Sequence, residues 1–188
     1  MGDTTQISLG ISGDGNNVGI ISRIAVQNDI DHIIARFAEQ GDNKPREVWE
    51  NYLREQENGE RIVIIAQIDD ELAGYVTLFP RVKDAMPYIE SGMPEIKDFN
   101  VFEMFRRRGV GTVLMDKIEE IAAGISDAVC LGVGLHSGYG AAQRLYVMRG
   151  YIFDGSGVWD GSEPAKPYGM VENGDDLVLY MSKKLRGA

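Results

Sequence analysis

Arg106, Arg107 and Arg108 run straight into Gly109-Val110-Gly111. Glycines let the backbone approach a ligand closely and adopt positive φ where needed. The residues after them, Gly111 to Ala123, read as an amphipathic helix. A helix start offers unpaired N–H groups and the positive end of the dipole. Arginines, glycines and a helix start together make an anion cradle suited to a pyrophosphate. No Lys-Ser/Thr pair follows, so this is not a nucleotide phosphate loop. Leu114 stands where a dinucleotide fingerprint needs its third Gly or Ala. The plainer alternative is a solvated basic loop with a glycine cap.

Carboxylates precede the cradle. Asp98 is the first candidate for a general base and Glu95 the second, with Glu103 just beyond. An ordinary carboxylate titrates near 4, roughly, too low for an efficient base unless burial raises it. Electrostatic binding of a cation is the other role open to both. In a regular strand Glu95 and Asp98 point to opposite faces, Asp98 sharing its face with Ile96 and Asn100. His136 titrates near 6.5 in its ordinary state, roughly, and is either a base, a substrate contact or an idle loop residue. His32 lies on a helix and reads as structural. Cys130, within Ala128-Val129-Cys130-Leu131, reads as core filling, with no base beside it to activate a nucleophile. One cysteine and two histidines exclude an internal disulfide and give no expectation of a metal.

These groups need a scaffold, and the patterning supplies one. Ile20–Ala25 reads as a strand, and a helix follows from Asp29 or Asp31 through Phe37. A short helix starts near Pro45 and runs to about Glu57, with Val48, Tyr52 and Leu53 on one side. Arg61–Gln67 and Leu72–Phe79 form a hairpin about Asp69-Asp70. A loop spans 81–93. Glu95–Val101 is the next strand, followed by the helix Gly111–Ala123 with Val113, Leu114, Ile118, Ile121 and Ala122 as its apolar stripe. Then come a strand (Val129–Val133), a helix (Gly140–Met148), a strand beginning at Tyr151, a long acidic loop over Trp159–Asn173 and a closing strand (Leu177–Lys183). The order predicts an α/β fold with a mixed, mostly antiparallel, central sheet flanked by helices, containing one βαβ unit. Residues 1–18, rich in Gly, Asp, Asn and Thr, form an irregular N-terminal segment, and 19–188 form a single domain.

Charge narrows the partners. The 188 residues carry 19 Lys plus Arg against 29 Asp plus Glu, a net charge of −10. Such a surface repels phosphate backbones, so no nucleic-acid partner is expected, and it attracts cations such as amines. No apolar run is long enough to cross a membrane and the first ten residues lack a secretory pattern, so a cytoplasmic protein with no membrane partner is expected.

The cradle and its surroundings resemble the GNAT superfamily of acyl-CoA-dependent N-acyltransferases. That family's pattern, Arg/Gln-x-x-Gly-x-Gly/Ala between a strand and an amphipathic helix, is matched by Arg106, Gly109 and Gly111 after Phe99-Asn100-Val101, with Thr112 and Leu114 following. Ala141-Ala142-Gln143-Arg144-Leu145-Tyr146, then Gly150-Tyr151, is similar to the family's Ala-x-x-Leu-Tyr-x-x-x-Gly-Phe/Tyr segment. Asp176–Lys183 resembles its closing strand. The likeness runs from about Ile20 to Leu185.

The resemblance implies an N-acetyltransferase moving an acetyl group from acetyl-CoA to a primary amine of a small cationic acceptor, by direct attack through a tetrahedral intermediate. It implies that Arg106, Arg107, Arg108, Gly109, Val110, Gly111 and Thr112 hold the pyrophosphate of coenzyme A. Phe99, Asn100 and Val101 run beside the pantetheine arm, with the Val101 N–H facing the oxyanion. Tyr146 becomes the acid that protonates the leaving thiolate, and no metal is needed. Tyr139 falls where the family often has Asn on the cofactor side, in a loop longer than usual, which puts the bonding to the pantetheine arm in doubt. Tyr75, Phe79, His136, Trp159 and Tyr168 are candidates for the acceptor pocket, with Asp154, Asp160 and Glu163 nearby. Many relatives pair, which leaves a homodimer open. A non-catalytic acyl-CoA-binding domain of the same fold is the alternative. ATP binding at Gly109-Val110-Gly111 is a third reading, against which the absent Lys-Ser/Thr pair speaks.

Overall fold

Asp69 and Asp70 both take positive φ, 50° and 65°, as the two-residue turns that match strand twist require. They join β2 (Ile62–Ile68) to β3 (Glu71–Phe79) in the hairpin expected. The computed structural model describes residues 19–81 and 92–185. Residues 1–18, expected to be irregular, and most of 81–93, expected to be a loop, lie outside the described residues.

Before the hairpin come β1 (Ile20–Ile24), α1 (Asp29–Glu39) and α2 (Arg46–Glu57). After it come β4 (Glu95–Val101), α3 (Val110–Ala123), β5 (Ala128–Gly134), α4 (Gly140–Met148), β6 (Ile152–Asp160), a two-residue β7 (Glu163–Pro164) and β8 (Leu177–Lys184). The eight strands of the described residues share one sheet in the order β1-β2-β3-β4-β5-β8-β6-β7. Every pairing is antiparallel except β4 with β5. This is the mixed, mostly antiparallel α/β architecture that the patterning predicts.

The sheet is covered on both sides at its centre. Residues of both parities are buried along β2 and β3, as a strand with two dry faces requires. Adjacent residues of β3 show what covers each face. Tyr75 packs against Phe37 of α1 and Trp49 of α2, while Gly74 lies against Leu114 of α3. Helices α1 and α2 therefore cover one face and α3 the other. Helix α4 lies on the α3 side, where Arg149 at its end bonds Asp116 and Glu119.

Three local departures matter. The α3 stripe includes Met115, fully buried beside Leu114 and Ile118, while Val113 and Ile121 are only half-buried. Glu119, expected to face outward or sideways, is buried because Arg149 and Lys183 both bond its carboxylate. Trp159, expected at the start of a loop, belongs to β6, which pairs with β8 on both sides of a wide bulge at Asp154-Gly155-Ser156-Gly157. Gly155 and Gly157 supply the positive φ this bulge needs.

Candidate active site

β4 and β5 touch over only two residue pairs, Glu95 with Cys130 and Ile96 with Leu131. Beyond them the strands part. The β5-facing edge of Lys97–Val101 has no strand partner among the described residues, and a wedge opens toward the start of α3. Unpaired main-chain groups in such a gap need a hydrogen-bonding occupant.

Gly109 caps α3 at φ 89°, and Arg107 also takes positive φ. The N–H groups of Val110, Gly111 and Thr112 lie in the first turn, without intrahelical partners. A Cβ at Gly111 would stand 3.3 Å from the Phe99 ring and 3.7 Å from Val101, so glycine lets α3 press against β4. The three arginines divide their work. Arg106 folds back, its Nε donating to the Val101 carbonyl at 3.1 Å and its guanidinium pairing with Glu103 at 3.2 Å. Arg107 and Arg108 are exposed, Arg108 with its guanidinium 5.7 Å from the Phe105 ring centroid, and they carry the solvent-facing positive charge of the loop.

A bulge decides what faces the wedge. Tyr75 pairs with Asn100 but Thr77 pairs with Lys97, so β4 has one residue more than β3 in this interval. Asp98, at φ 49°, absorbs it; Asp tolerates this region better than most residues. The alternation therefore slips. Glu95, Lys97, Asp98 and Asn100 lie on the α1/α2 face, whereas Ile96, Phe99 and Val101 lie on the α3 face. The regular-strand grouping of Asp98 with Ile96, opposite Glu95, is corrected on this ground.

Asp98 is densely bonded. The hydroxyls of Tyr75 and Tyr52 each donate to it at 2.9 Å, and Lys44 makes an ion pair with it. Burial first, and then the Asp98 charge, push both tyrosine hydroxyls well above their ordinary range. They remain donors at any ordinary pH. Glu95 is half-buried beside Lys97 at 3.5 Å and faces Cys130 and Tyr180.

Across the wedge stand two tyrosines. Tyr146 of α4 is almost fully buried, 6.3 Å from the Phe99 ring and 5.8 Å from the Tyr151 ring. Its hydroxyl makes no hydrogen bond among the described residues. Burial holds it protonated, far above the tyrosine norm. Tyr139 lies over Gly134, where a Cβ would come within 2.5 Å of its ring. Its hydroxyl donates to Asp175 at 3.0 Å and is pushed up to about 12 by burial, that bond and the charges of Asp175 and Asp98.

His136 is differently placed from a free base. Its Nδ1 accepts from the Gly138 N–H at 3.1 Å, so the neutral ring carries its proton on Nε2, which faces Asp175 at 3.0 Å. Both nitrogens are engaged, and the ring instead steadies Asp175 beneath Tyr139. Tyr75 is fully buried, its hydroxyl bonded to Asp98 and Lys44. Phe79 carries the Arg61 guanidinium 4.0 Å from its ring centroid. Trp159 is buried against Tyr180, 5.8 Å between ring centroids. Tyr168 is fully exposed and lines no part of the wedge.

The sequence profile of the acetyltransferase (GNAT) family matches residues 26–151. The chain belongs to this family. Comparison with curated protein sequences gives no match. Solved structures share the fold at low identity. A GNAT acetyltransferase from Streptococcus pneumoniae is 19% identical, with a TM-score of 0.62 over 89% of this chain and 100% of the other. The yncA protein of Salmonella typhimurium, solved with its cofactor acetyl-CoA, is 15% identical, with a TM-score of 0.64 over 89% and 94%. An aminoglycoside 6'-N-acetyltransferase complexed with coenzyme A is 19% identical, with a TM-score of 0.61 over 89% and 98%.

Within this GNAT fold the sequence reasoning missed Lys44, Trp49, Tyr52 and Arg61. Trp49, Tyr52 and Leu53 repeat at helical spacing and could have marked an aromatic face of α2. Lys44 gives no signal of its own. Its meaning depends on Asp98, 54 residues away along the chain.

Proposed function

We propose that this protein transfers an acetyl group from acetyl-CoA to the primary amine of a small cationic acceptor. The observation that carries this is the pairing of an open β4–β5 wedge, ending at an unpartnered helix start, with a carboxylate ringed by aromatics on the adjoining face. The first suits coenzyme A and the second suits an ammonium.

The residues fit coenzyme A. Gly109 to Thr112 offer main-chain N–H groups to a pyrophosphate, and Arg107 and Arg108 add mobile positive charge. The open edge of Lys97–Val101 offers hydrogen bonds to the amides of the pantetheine arm, and the Gly111 contact keeps that edge against α3. When bound, coenzyme A supplies an activated acyl thioester.

Asp98 binds and orients the acceptor ammonium. Its oxygens already take hydrogen bonds from two tyrosines, which favours anchoring over acting as sole base. Ordered water passing the proton out along the Glu95 and Asp98 face completes deprotonation. Main-chain N–H at Val101 receives the developing oxyanion. Tyr146 gives its proton to the departing thiolate. Burial holds that hydroxyl protonated, so its proton is available when the thiolate departs.

The test is thiol release from acetyl-CoA by purified protein with polyamines, aminoglycosides, amino acids, aryl amines and short peptides. Acceptor-dependent release supports the proposal. Tight acetyl-CoA binding with no release for any acceptor favours the binding-only reading.

A further inference from the structure

Lys44 lies between α1 and α2, the one half-buried residue in an otherwise exposed stretch from Gly41 to Arg46. Its ammonium sits among four aromatic rings. It is 5.1 Å from the Trp49 centroid, 5.3 Å from Tyr75, 5.4 Å from Tyr52 and 6.0 Å from Phe37. It also lies 3.2 Å from the Tyr75 hydroxyl and pairs with Asp98. Ring faces attract a cation through their quadrupoles, and the carboxylate takes its N–H. Every element a primary ammonium requires is present, and a group of this protein already uses it.

The attachment of Lys44 is weak elsewhere. The main-chain N–H groups of Asn43 and Lys44 donate no hydrogen bond among the described residues. Gly41 turns the chain at φ 81° just before. Gly41 and Asp42 are held to α1 by main-chain bonds and Arg46 pairs with Asp31, so the side chain is the tie of Asn43 and Lys44 alone, and its withdrawal breaks no secondary structure. The Lys44 side chain is 22% exposed and that of Asp98 25%, so the pair communicates with solvent.

We propose that Lys44 is an internal stand-in for the acceptor: its ammonium fills the amine position in the free protein, and an external alkylammonium binds by displacing it. The inference rests on the acceptor reading of the Asp98 face. A group on a short tether has an effective concentration of order mM. An external amine making only the same contacts therefore fails to compete at micromolar levels. Lys44 sets a threshold that favours acceptors with contacts beyond the cage, and it keeps Asp98 neutralised while the site is unoccupied.

Binding is read without acetyl transfer, using butylammonium as probe and Trp49 fluorescence as signal; Trp159 lies in a separate cluster. Lys44→Met keeps an apolar stem and empties the ammonium position. It should bind butylammonium about tenfold or more tighter than wild type, and Lys44→Met/Asp98→Asn should lose that gain. Should Lys44→Met not fold, wild type labelled with ¹³C-lysine serves. The Lys44 ε-CH₂ resonance, shifted by the rings, should move to its solvent position as butylammonium saturates. Unchanged affinity in folded Lys44→Met, or an unmoved Lys44 resonance at saturation, overturns the proposal. If the protein turns over acceptors while these binding results fail, only the stand-in role falls. If no acceptor is turned over but Lys44→Met gains affinity, the transferase reading falls and the cage stands.

Discussion

The carboxylates of Glu95 and Asp98 leave β4 on the same face, although three positions along a regular strand would put them on opposite faces. The bulge at Asp98 removes the alternation that would have set them apart. Both then face the α1/α2 side, with the two hydroxyls of Tyr52 and Tyr75 fixed on the nearer one. Replacing Asp98 by Asn keeps the shape and removes the charge. The acceptor KM should rise about tenfold or more, since a hydrogen bond to a charged group contributes roughly 1.5–3 kcal/mol. The KM for acetyl-CoA should hold. Steady-state kinetics with each substrate varied separately checks this.

Tyr146 offers a cleaner separation of packing from chemistry. Its hydroxyl has no hydrogen-bond partner among the described residues, while its ring is buried between Phe99 and Tyr151. Tyr146→Phe should therefore keep the melting temperature and lose about 100-fold or more in kcat, the usual scale of general acid catalysis. An unchanged kcat would remove Tyr146 from the mechanism.

Gly74 tests the bulge itself. A Cβ there would stand 2.6 Å from the Asn100 carbonyl oxygen, which is main chain and cannot rotate away. Gly74→Ala should cost about 1–3 kcal/mol of stability, as overpacking usually does. It should also reduce activity by pushing β3 from β4 beside Asp98. Denaturant melts and turnover measured on the same preparation link the two effects.

Arg107 and Arg108 are exposed, and Arg106 is tied to the strand. Replacing the first two together by Ala should raise the acetyl-CoA KM about five- to tenfold without loss of stability. The difference from wild type should shrink at high salt, because exposed charges are screened within ~3 Å at 1 M. Wild type and the double variant measured across a salt series show whether it does.

Glu119 predicts a pH signature away from the site. Burial works to raise its pKa, yet bonds from Arg149 and Lys183 outweigh burial and hold it below the carboxylate norm. A lowered folded-state pKa means stability present above the unfolded value and lost as pH falls through the folded one. The stability gap between wild type and Glu119→Gln should thus be full at neutral pH and narrow below about pH 4.5, near the unfolded carboxylate value. Urea melts between neutral pH and pH 3 follow it.

Much of the scaffold is legible from residue types alone. The α3 stripe, the Asp69-Asp70 turn and the glycine pair at the helix start each encode local geometry in a few neighbouring residues. The cradle was readable for the same reason. What was not readable depends on partners remote in sequence. The slip at Asp98 shows only against the register of β3. Lys44 matters only because Asp98 and three separate elements bring their carboxylate and rings to it. The engagement of both His136 nitrogens, by Gly138 and by Asp175 39 residues away, exists only in the fold. Tyr168 looked like a pocket aromatic, and nothing local revealed that its turn points it into solvent.

The short contact of β4 with β5 has a mechanical meaning as well. The strands on either side of it make two well-paired half-sheets, β1 to β4 and β5 with β8, β6 and β7, stitched directly by two residue pairs and bridged by α3. This seam is the line along which the molecule should part first under load or heat. Anything that lies in the gap and bonds both halves acts as a suture. Its occupancy then governs how long the two halves stay together, and the melting temperature becomes a gauge of how full the gap is.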